Sequence, residues 1–187
     1  MPNGSIRSRG HLPHWEADQA VYFVTFRLAD SLPKSLLSHL KLELARDPKA
    51  RSRKAREVER LLESNHGACH LKNPVIADLV AEALKKCDGV RYRLFAWCVM
   101  PNHVHVVFQP TSSFRLQDIL HSWKSYTAKE ANKILKRSGK DFWQREYFDH
   151  LIRDEEQLDR AIHYTAENPT KAGMMGWRWV YVAPNLT

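Results

Sequence analysis

Residues 92–108 read YRLFAWCVMPNHVHVVF, and this stretch decides the fold. Two runs of β-branched and aromatic residues flank Pro101-Asn102, and a turn this short joins antiparallel strands. Because side chains alternate between the two faces of a strand, His103 and His105 emerge on the same face. Two imidazoles on a rigid strand favour a metal site, although a histidine that only hydrogen-bonds at a sheet surface gives the same pattern.

The segments on either side of this strand pair alternate between strand and helix patterns. Residues 21–28, VYFVTFRL, predict a strand. Helical spacing of apolar residues follows at 36–44, 74–84, 116–134 and 158–165, whereas residues 142–153 predict a strand or an irregular connection. Pro74 and Asp154 mark helix starts, and Pro169 with Gly173 marks a helix end. This order predicts an α+β fold, a ferredoxin-like or RRM-like antiparallel sheet with helices packed on it.

The composition predicts one globular domain with an anionic partner. The 187 residues are 43% hydrophobic, enough for a proper core. Lys and Arg number 29 against 21 Asp and Glu, and the net charge of +8 favours nucleic acid. No apolar run reaches the length of a membrane span, and no signal-peptide core is present, so we expect a cytoplasmic, nucleoid-associated protein without a membrane partner. We expect residues 1–13 to be a flexible arm and residues 14–187 a single domain.

Two features of the middle of the chain leave alternatives open. Residues 46–60 carry seven basic side chains and are either a solvated helix face or a surface that contacts phosphates. The three cysteines lack CxxC spacing, which indicates a reducing compartment. A zinc cluster of His66, Cys69 and His70 has no second ligand pair at the usual spacing.

A tyrosine and an asparagine near the end of the chain form a second candidate site. Tyr164 and Asn168 are four residues apart and therefore share one side of a helix. Tyr164 lies ~105° from the centre of that helix's apolar stripe, which places it at the edge of a site. Tyr126 lies ~80° from the stripe of its own helix, so periodicity alone leaves the choice open. Pro169 biases Asn168 away from helical geometry.

Several motifs, in this order, resemble one known family. They are YFVTFR at 22–27, MPNHVH at 100–105, FWQ at 142–144, YFDHLIR at 147–153, and Tyr164 followed by NPTKAG at 168–173. The sequence resembles the single-tyrosine HUH transposases, named for their His-hydrophobic-His strand, and among them the REP-associated, insertion-sequence-200-like branch. The resemblance covers residues 14–176.

The resemblance implies a metal-dependent endonuclease and strand transferase that acts on single-stranded DNA beside palindromic hairpins. His103 and His105 would bind a divalent cation, Mg²⁺ or Mn²⁺, and Asn168 would complete its ligands. Tyr164 would be the nucleophile that joins a 5′ phosphate and frees a 3′ hydroxyl. A single-tyrosine protein completes a transposition cycle as a homodimer or by successive reactions.

Four further side chains are candidates for binding DNA: Trp143, Arg145, Arg153 and Lys171. Core burial of the indole and surface ion pairs of the cations are the alternatives. Two other functions remain open at this point, a replication-initiator nickase of the same chemistry and a non-catalytic RRM-like RNA-binding module. The RNA-binding module predicts binding that needs neither metal nor the histidine pair.

Overall fold

The computed structural model describes residues 4–9, 12–17, 20–33, 58, 60–62 and 66–184. The strands in these ranges are β1 (Gly4–Arg9), β2 (Leu12–Ala17), β3 (Val21–Arg27), β4 (Tyr92–Val99), β5 (His103–Pro110), β6 (Phe148–Ile152) and β7 (Val180–Val182). The helices are α1 (Pro74–Lys85), α2 (Leu116–Ile134) and α3 (Glu155–Lys171), with a 3-10 turn at His70–Lys72.

Five strands form one sheet in the order β6-β3-β5-β4-β7, and every neighbouring pair is antiparallel. The amide of Met100 donates to the His103 carbonyl at 2.8 Å and closes the predicted tight turn. With α1 after β3 and α2 after β5, the strands β6-β3-β5-β4 have the ferredoxin-like arrangement, and β7 adds a fifth strand at the edge. The α+β prediction is therefore confirmed.

Helices cover both faces of this sheet. Helices α1 and α2 pack on one face, in a core that includes Val24, Val104 and Phe108. Helix α3 covers the other face, where Ile162 meets Phe23 and Val107. Because strand residues alternate between faces, His103 and His105 lie on the face that α3 covers.

The two predicted helix starts are confirmed by their caps. The Asn73 side chain accepts a hydrogen bond from the Val75 amide at 3.0 Å, ahead of Pro74 at the first helical position. The Asp154 carboxylate accepts from the Gln157 amide at 2.8 Å. Each cap satisfies an amide that the helix itself leaves without an acceptor.

Of the two residues predicted to mark the end of α3, Gly173 is confirmed and Pro169 is wrong. Gly173 follows the C-cap Ala172 with a φ of 73°, the left-handed conformation in which helices commonly end. The helix continues through Pro169 to Lys171, and the amide of Ala172 still donates to the Asn168 carbonyl at 3.1 Å. Proline removes one hydrogen bond of the helix, but the hydrogen bond of the Ala172 amide closes the turn beyond it. The consequence is that Asn168 stays helical and remains one turn beyond Tyr164 on the same side.

The N-terminal region contains structure that its polar composition did not predict. Strands β1 and β2 pair antiparallel, from Gly4 opposite Ala17 to Arg9 opposite Leu12. The predicted boundary between residues 13 and 14 therefore falls inside β2, while mobility of the arm stays a prediction. The predicted helix at 36–44 and the basic segment 46–60, apart from residues 58 and 60, lie outside the described residues.

No helix within the described ranges combines the length and the apolar character that crossing a membrane requires.

Candidate active site

The histidine pair is buried and its ring nitrogens face each other. His103 and His105 are each 1% exposed, and their Nε2 atoms are 3.0 Å apart. Their ring planes are 80° apart, with centroids separated by 4.7 Å. The two imidazoles are therefore held together beneath α3, with their donor atoms converging on one point.

Asn102 fixes the protonation of the His103 ring. Its amide nitrogen donates to the backbone carbonyls of Leu62 and His66 at 3.2 and 3.1 Å, so its amide oxygen faces His103 Nδ1 at 2.7 Å. Because an amide oxygen only accepts, Nδ1 carries the proton. The lone pair of His103 is therefore on Nε2, the atom that faces His105.

Thr25 and Phe23 hold the second imidazole from the neighbouring strand. Thr25 lies opposite His105 in the β3–β5 register, and its Oγ1 is 2.8 Å from His105 Nδ1. A hydroxyl both donates and accepts, so it suits either tautomer of the ring. The Phe23 ring stacks on the His105 ring at 5.4 Å with a 19° interplanar angle. These two contacts fix the plane of the imidazole and the direction of its Nε2.

The environment keeps both imidazoles neutral. Burial lowers the pKa of His105 to about 3. Burial also lowers the pKa of His103 well below its ordinary value, and the charge that His105 would carry if protonated and the charge of Arg27 act in the same direction. A neutral imidazole has the lone pair that metal binding requires, so the pair is in its ligand form at neutral pH.

The lowered pKa values predict a pH-dependent stability. In the unfolded chain these imidazoles take up protons near pH 6.5, whereas the folded protein does not, so the free energy of unfolding falls as the pH drops below about 6.5. In EDTA we expect His105→Gln to reduce the slope of the free energy of unfolding against pH, between pH 6.5 and 5, by about 1 kcal/mol per pH unit. Urea unfolding at a series of pH values measures it.

His121→Gln, at an exposed position on α2, is the matched control and should retain the wild-type slope. An unchanged slope in His105→Gln would contradict the neutral, buried state of the pair.

Tyr164 lies beside the histidine pair. It is half-buried on α3, and its ring centroid is 5.4 Å from that of His105 and 5.8 Å from that of Phe23. The Lys171 ammonium lies 5.6 Å from the centroid of the same ring. The packing of Ile162 against the sheet brings this helix down onto the histidine face. The structure thus brings together a phenol, two imidazoles and a lysine that is ion-paired with Glu167.

Asn168 is buried without visible hydrogen-bond partners for its side chain. It is 1% exposed, and neither its amide oxygen nor its amide nitrogen has a hydrogen-bond partner among the residues that the structure describes. A buried amide that makes no hydrogen bond costs about 1–3 kcal/mol, so a group that the amide binds is expected at this position. It lies one turn beyond Tyr164 on α3, the helix that covers the histidine pair.

These residues fit a divalent cation. Adjacent ligands of an octahedral ion with bonds of about 2.1 Å are about 3 Å apart, and the two Nε2 atoms are separated by 3.0 Å. The unpartnered amide oxygen of Asn168 is a suitable additional donor.

The alternative zinc cluster is contradicted. Among the residues that the structure describes, no three His, Cys, Asp or Glu side chains are placed to hold a metal ion. His70 instead hydrogen-bonds through its ring nitrogen to the Arg137 guanidinium and stacks on Phe142.

The rival tyrosine lies on the other side of the sheet. Tyr126 is on α2, which packs through Trp123 on the face away from the histidine pair. Its ring is 47% exposed and lies under the Lys86 ammonium, 5.9 Å from the ring centroid. Of the two candidates, the structure brings only Tyr164 to the imidazoles.

The four predicted DNA contacts divide into two groups. Arg145, Arg153 and Lys171 are exposed. Trp143 is 7% exposed, and its indole N–H donates to Thr127 Oγ1 at 2.9 Å. The alternative of core burial therefore applies to Trp143, whose ring is packed in the core.

Sequence reasoning missed three residues that surround the pair: Thr25, Asn102 and Arg27. Thr25 and Arg27 lie opposite His105 and His103, respectively, on β3. They belong to the predicted VTFR strand, but their role depends on a register that local sequence does not reveal. Asn102 precedes His103 directly, so the signal was present in the MPNHVH motif.

Comparison with known proteins identifies the family and agrees with this fold. The family model described as transposase IS200-like matches residues 68–168, more than half of the chain. The chain belongs to the IS200-like transposase family. The matched segment contains the histidine strand, Tyr164 and Asn168.

Two individual proteins are similar to the chain. A Haemophilus influenzae protein, provisionally named a REP-associated tyrosine transposase, is 27% identical over 96 residues, which cover 46% of this chain and 54% of that protein. The chain thus spans about half the length of this relative. The solved structure of a REP-associated tyrosine transposase bound to a REP hairpin superposes with a TM-score of 0.54 at 15% identity, covering 94% of this chain and 81% of that one. This likeness shows a shared fold.

Proposed function

We propose that the protein is a metal-dependent endonuclease and strand transferase of single-stranded DNA, with Tyr164 as its nucleophile. The observation that carries this proposal is the 5.4 Å separation between the rings of Tyr164 and His105. A half-buried phenol against a neutral imidazole, on a helix that also carries a buried amide without a described partner, suits nucleophilic catalysis.

The Tyr164 oxygen attacks the phosphorus of a phosphodiester. The bond from phosphorus to the 3′ oxygen breaks, and a 5′-phosphotyrosine forms. The phenol gives up its proton, and the departing 3′ oxygen takes one up, so the step is balanced. Because a phosphoester bond is kept, the freed 3′ hydroxyl of the same or another strand can attack the phosphotyrosine and rejoin the DNA without ATP.

A divalent cation at this site would withdraw charge from the phosphate and orient it for attack. His103, His105 and Asn168 would hold the cation. An ordinary phenol ionises near pH 10, so positive charge near the ring assists the attack. Lys171, 5.6 Å from the Tyr164 ring centroid, contributes such a charge, which its 2.9 Å ion pair with Glu167 partly offsets. Imidazole and amide donors suit Mn²⁺ somewhat better than Mg²⁺, and we expect either ion to support activity.

The substrate we propose is a single strand beside a palindromic hairpin. The net charge of +8 favours a polyanion, and a solved protein of similar fold is bound to a REP hairpin. Arg145, Arg153 and Lys171 are exposed and available to contact phosphates. Unlike an RNA-binding module, this function requires the histidine pair.

Three broader features belong to the same proposal. Residues 14–187 would act as one catalytic unit, with residues 1–13 as an accessory arm. The protein would work at the nucleoid in the cytoplasm. A homodimer would supply the second nucleophile that a complete transposition cycle needs.

Covalent capture of DNA tests this function. The probe is a pool of hairpin oligonucleotides with randomised single-stranded flanks, labelled at the 3′ end. With Mn²⁺ we expect a labelled protein band that survives denaturation, and in EDTA no such band. The same pool labelled at the 5′ end should release a free fragment that a polymerase can extend from its 3′ hydroxyl.

Either of two results would contradict the proposal. One is binding of the hairpin, with or without metal, that never yields an adduct. The other is an adduct that retains the 5′ label, since that linkage has the opposite polarity.

A further inference from the structure

Arg27 lies on the same face of the sheet as the histidine pair. It is directly opposite His103 in the β3–β5 register, and residues that face each other across antiparallel strands share a face. Its charge is close enough to oppose protonation of His103. Arg27 thus borders the site on the strand next to the imidazoles.

The Arg27 guanidinium is half-buried with little to neutralise it. Within the described part of the chain, the acceptor it contacts is Ser31 Oγ, at 3.3 Å, and no carboxylate pairs with it. Burial lowers the pKa of Arg27 to about 10, so it remains a cation at neutral pH. A guanidinium has five N–H donors, and a partly desolvated cation without a counter-ion is unfavourable. An anion that binds here would therefore be stabilised.

The position of Arg27 relative to Tyr164 indicates which part of a DNA substrate it meets. On β3, residues Phe23, Thr25 and Arg27 follow one another along the same face. Tyr164 contacts Phe23 and His105, at one end of this row. Arg27 is at the opposite end, about 7 Å beyond Thr25 along the strand. Along the strand direction His105 therefore lies between the phenol and Arg27, and His103 is level with Arg27.

Phosphoryl transfer places the attacking and leaving oxygens roughly in line, on opposite sides of the phosphorus. With Tyr164 at the Phe23 end of this row, the leaving oxygen departs toward the end at which Arg27 lies. Resting on the function proposed above, we propose that Arg27 binds the leaving side of the scissile phosphodiester and stabilises the departing 3′ oxygen.

In this step the bond from phosphorus to the 3′ oxygen breaks, and its electron pair goes to that oxygen. Arg27 stays protonated and donates hydrogen bonds, while the proton taken up by the oxygen is matched by the one that Tyr164 releases. In the reverse reaction the same guanidinium would hold the 3′ hydroxyl for attack on the phosphotyrosine. Arg27 would therefore assist both cleavage and strand transfer.

A better leaving group tests this role. Two versions of one cleavage oligonucleotide are compared, the natural one and one with sulfur in place of the bridging 3′ oxygen. On the natural strand we expect Arg27→Gln to slow adduct formation about 100-fold, the scale of losing one donor to a developing anion. A thiolate needs far less stabilisation, so on the sulfur strand we expect a slowing of less than about 5-fold. Arg27→Lys should fall between wild type and Arg27→Gln on the natural strand.

Arg93→Gln is the matched control. Arg93 is exposed on β4, near the far end of the sheet face, with its guanidinium 5.1 Å from the Phe95 ring centroid. This variant should match the wild type on both strands. Thermal unfolding of each variant, followed by circular dichroism, reports whether it is folded.

Two results would overturn the assignment of Arg27 alone, provided that wild-type protein forms adducts. One is equal slowing of Arg27→Gln on both strands, which indicates a structural or binding role, and the other is wild-type rates on both. A wild-type protein that forms no adduct on either strand would instead overturn the proposed function and the role of Arg27 with it.

Discussion

Tyr164→Phe is expected to reduce covalent capture of DNA to background while hairpin binding stays within about twofold of wild type. The variant loses the only oxygen of the side chain that can attack phosphorus. It keeps the aromatic ring that packs 5.8 Å from Phe23, so the fold and the DNA-binding surface are retained. Denaturing gels with a 3′-labelled hairpin strand measure capture, and fluorescence anisotropy measures binding.

Tyr126→Phe is the control, because its ring lies on α2 across the sheet from the imidazoles. It should capture DNA at the wild-type rate. Capture that survives in Tyr164→Phe, or disappears in Tyr126→Phe, would move the nucleophile away from the histidine pair.

His103→Gln is expected to slow adduct formation about a thousandfold, since a bound cation contributes several kcal/mol to stabilising the transition state. His103 is the ring whose tautomer Asn102 fixes, through a 2.7 Å contact to Nδ1. The protein is titrated with Mn²⁺, and bound ion is measured as the decrease of the free-ion electron paramagnetic resonance signal. This titration should show weaker binding in the variant. This readout does not depend on activity.

His163→Gln is the matched control on α3. His163 neighbours Tyr164 in sequence, but its side chain is 72% exposed, and its Nε2 is 2.7 Å from Glu167 Oε1. Metal affinity and adduct formation should both equal those of wild type. If His103→Gln bound Mn²⁺ as tightly as wild type, the strand histidines would not be the metal ligands.

The parts of this account that could be predicted from sequence depend on short-range periodicity. Alternation along one strand places His103 and His105 on the same face, and helical spacing places Tyr164 and Asn168 on the same side. The order of strands and helices, with a turn too short for a parallel connection, was enough for the antiparallel α+β sheet.

The remaining parts depend on contacts between distant segments. Arg27 and Thr25 join the site only because β3 pairs with β5 in one register, and a shift of one residue would turn both side chains to the opposite face. Tyr126 and Tyr164 have similar helical phases, and only the packing of α2 and α3 on opposite faces separates them. Pro169 predicts a helix end locally, but the later amides of α3 continue the helix.

The central claim is that the phenol of Tyr164, held against the strand imidazoles, becomes bonded to DNA. Mass spectrometry of the nuclease-trimmed and proteolysed adduct identifies the modified residue directly. We expect a phosphonucleotide on the peptide that contains Tyr164 and on that residue within it. The same modification on Tyr126, or on any residue distant from His103 and His105, would contradict the account.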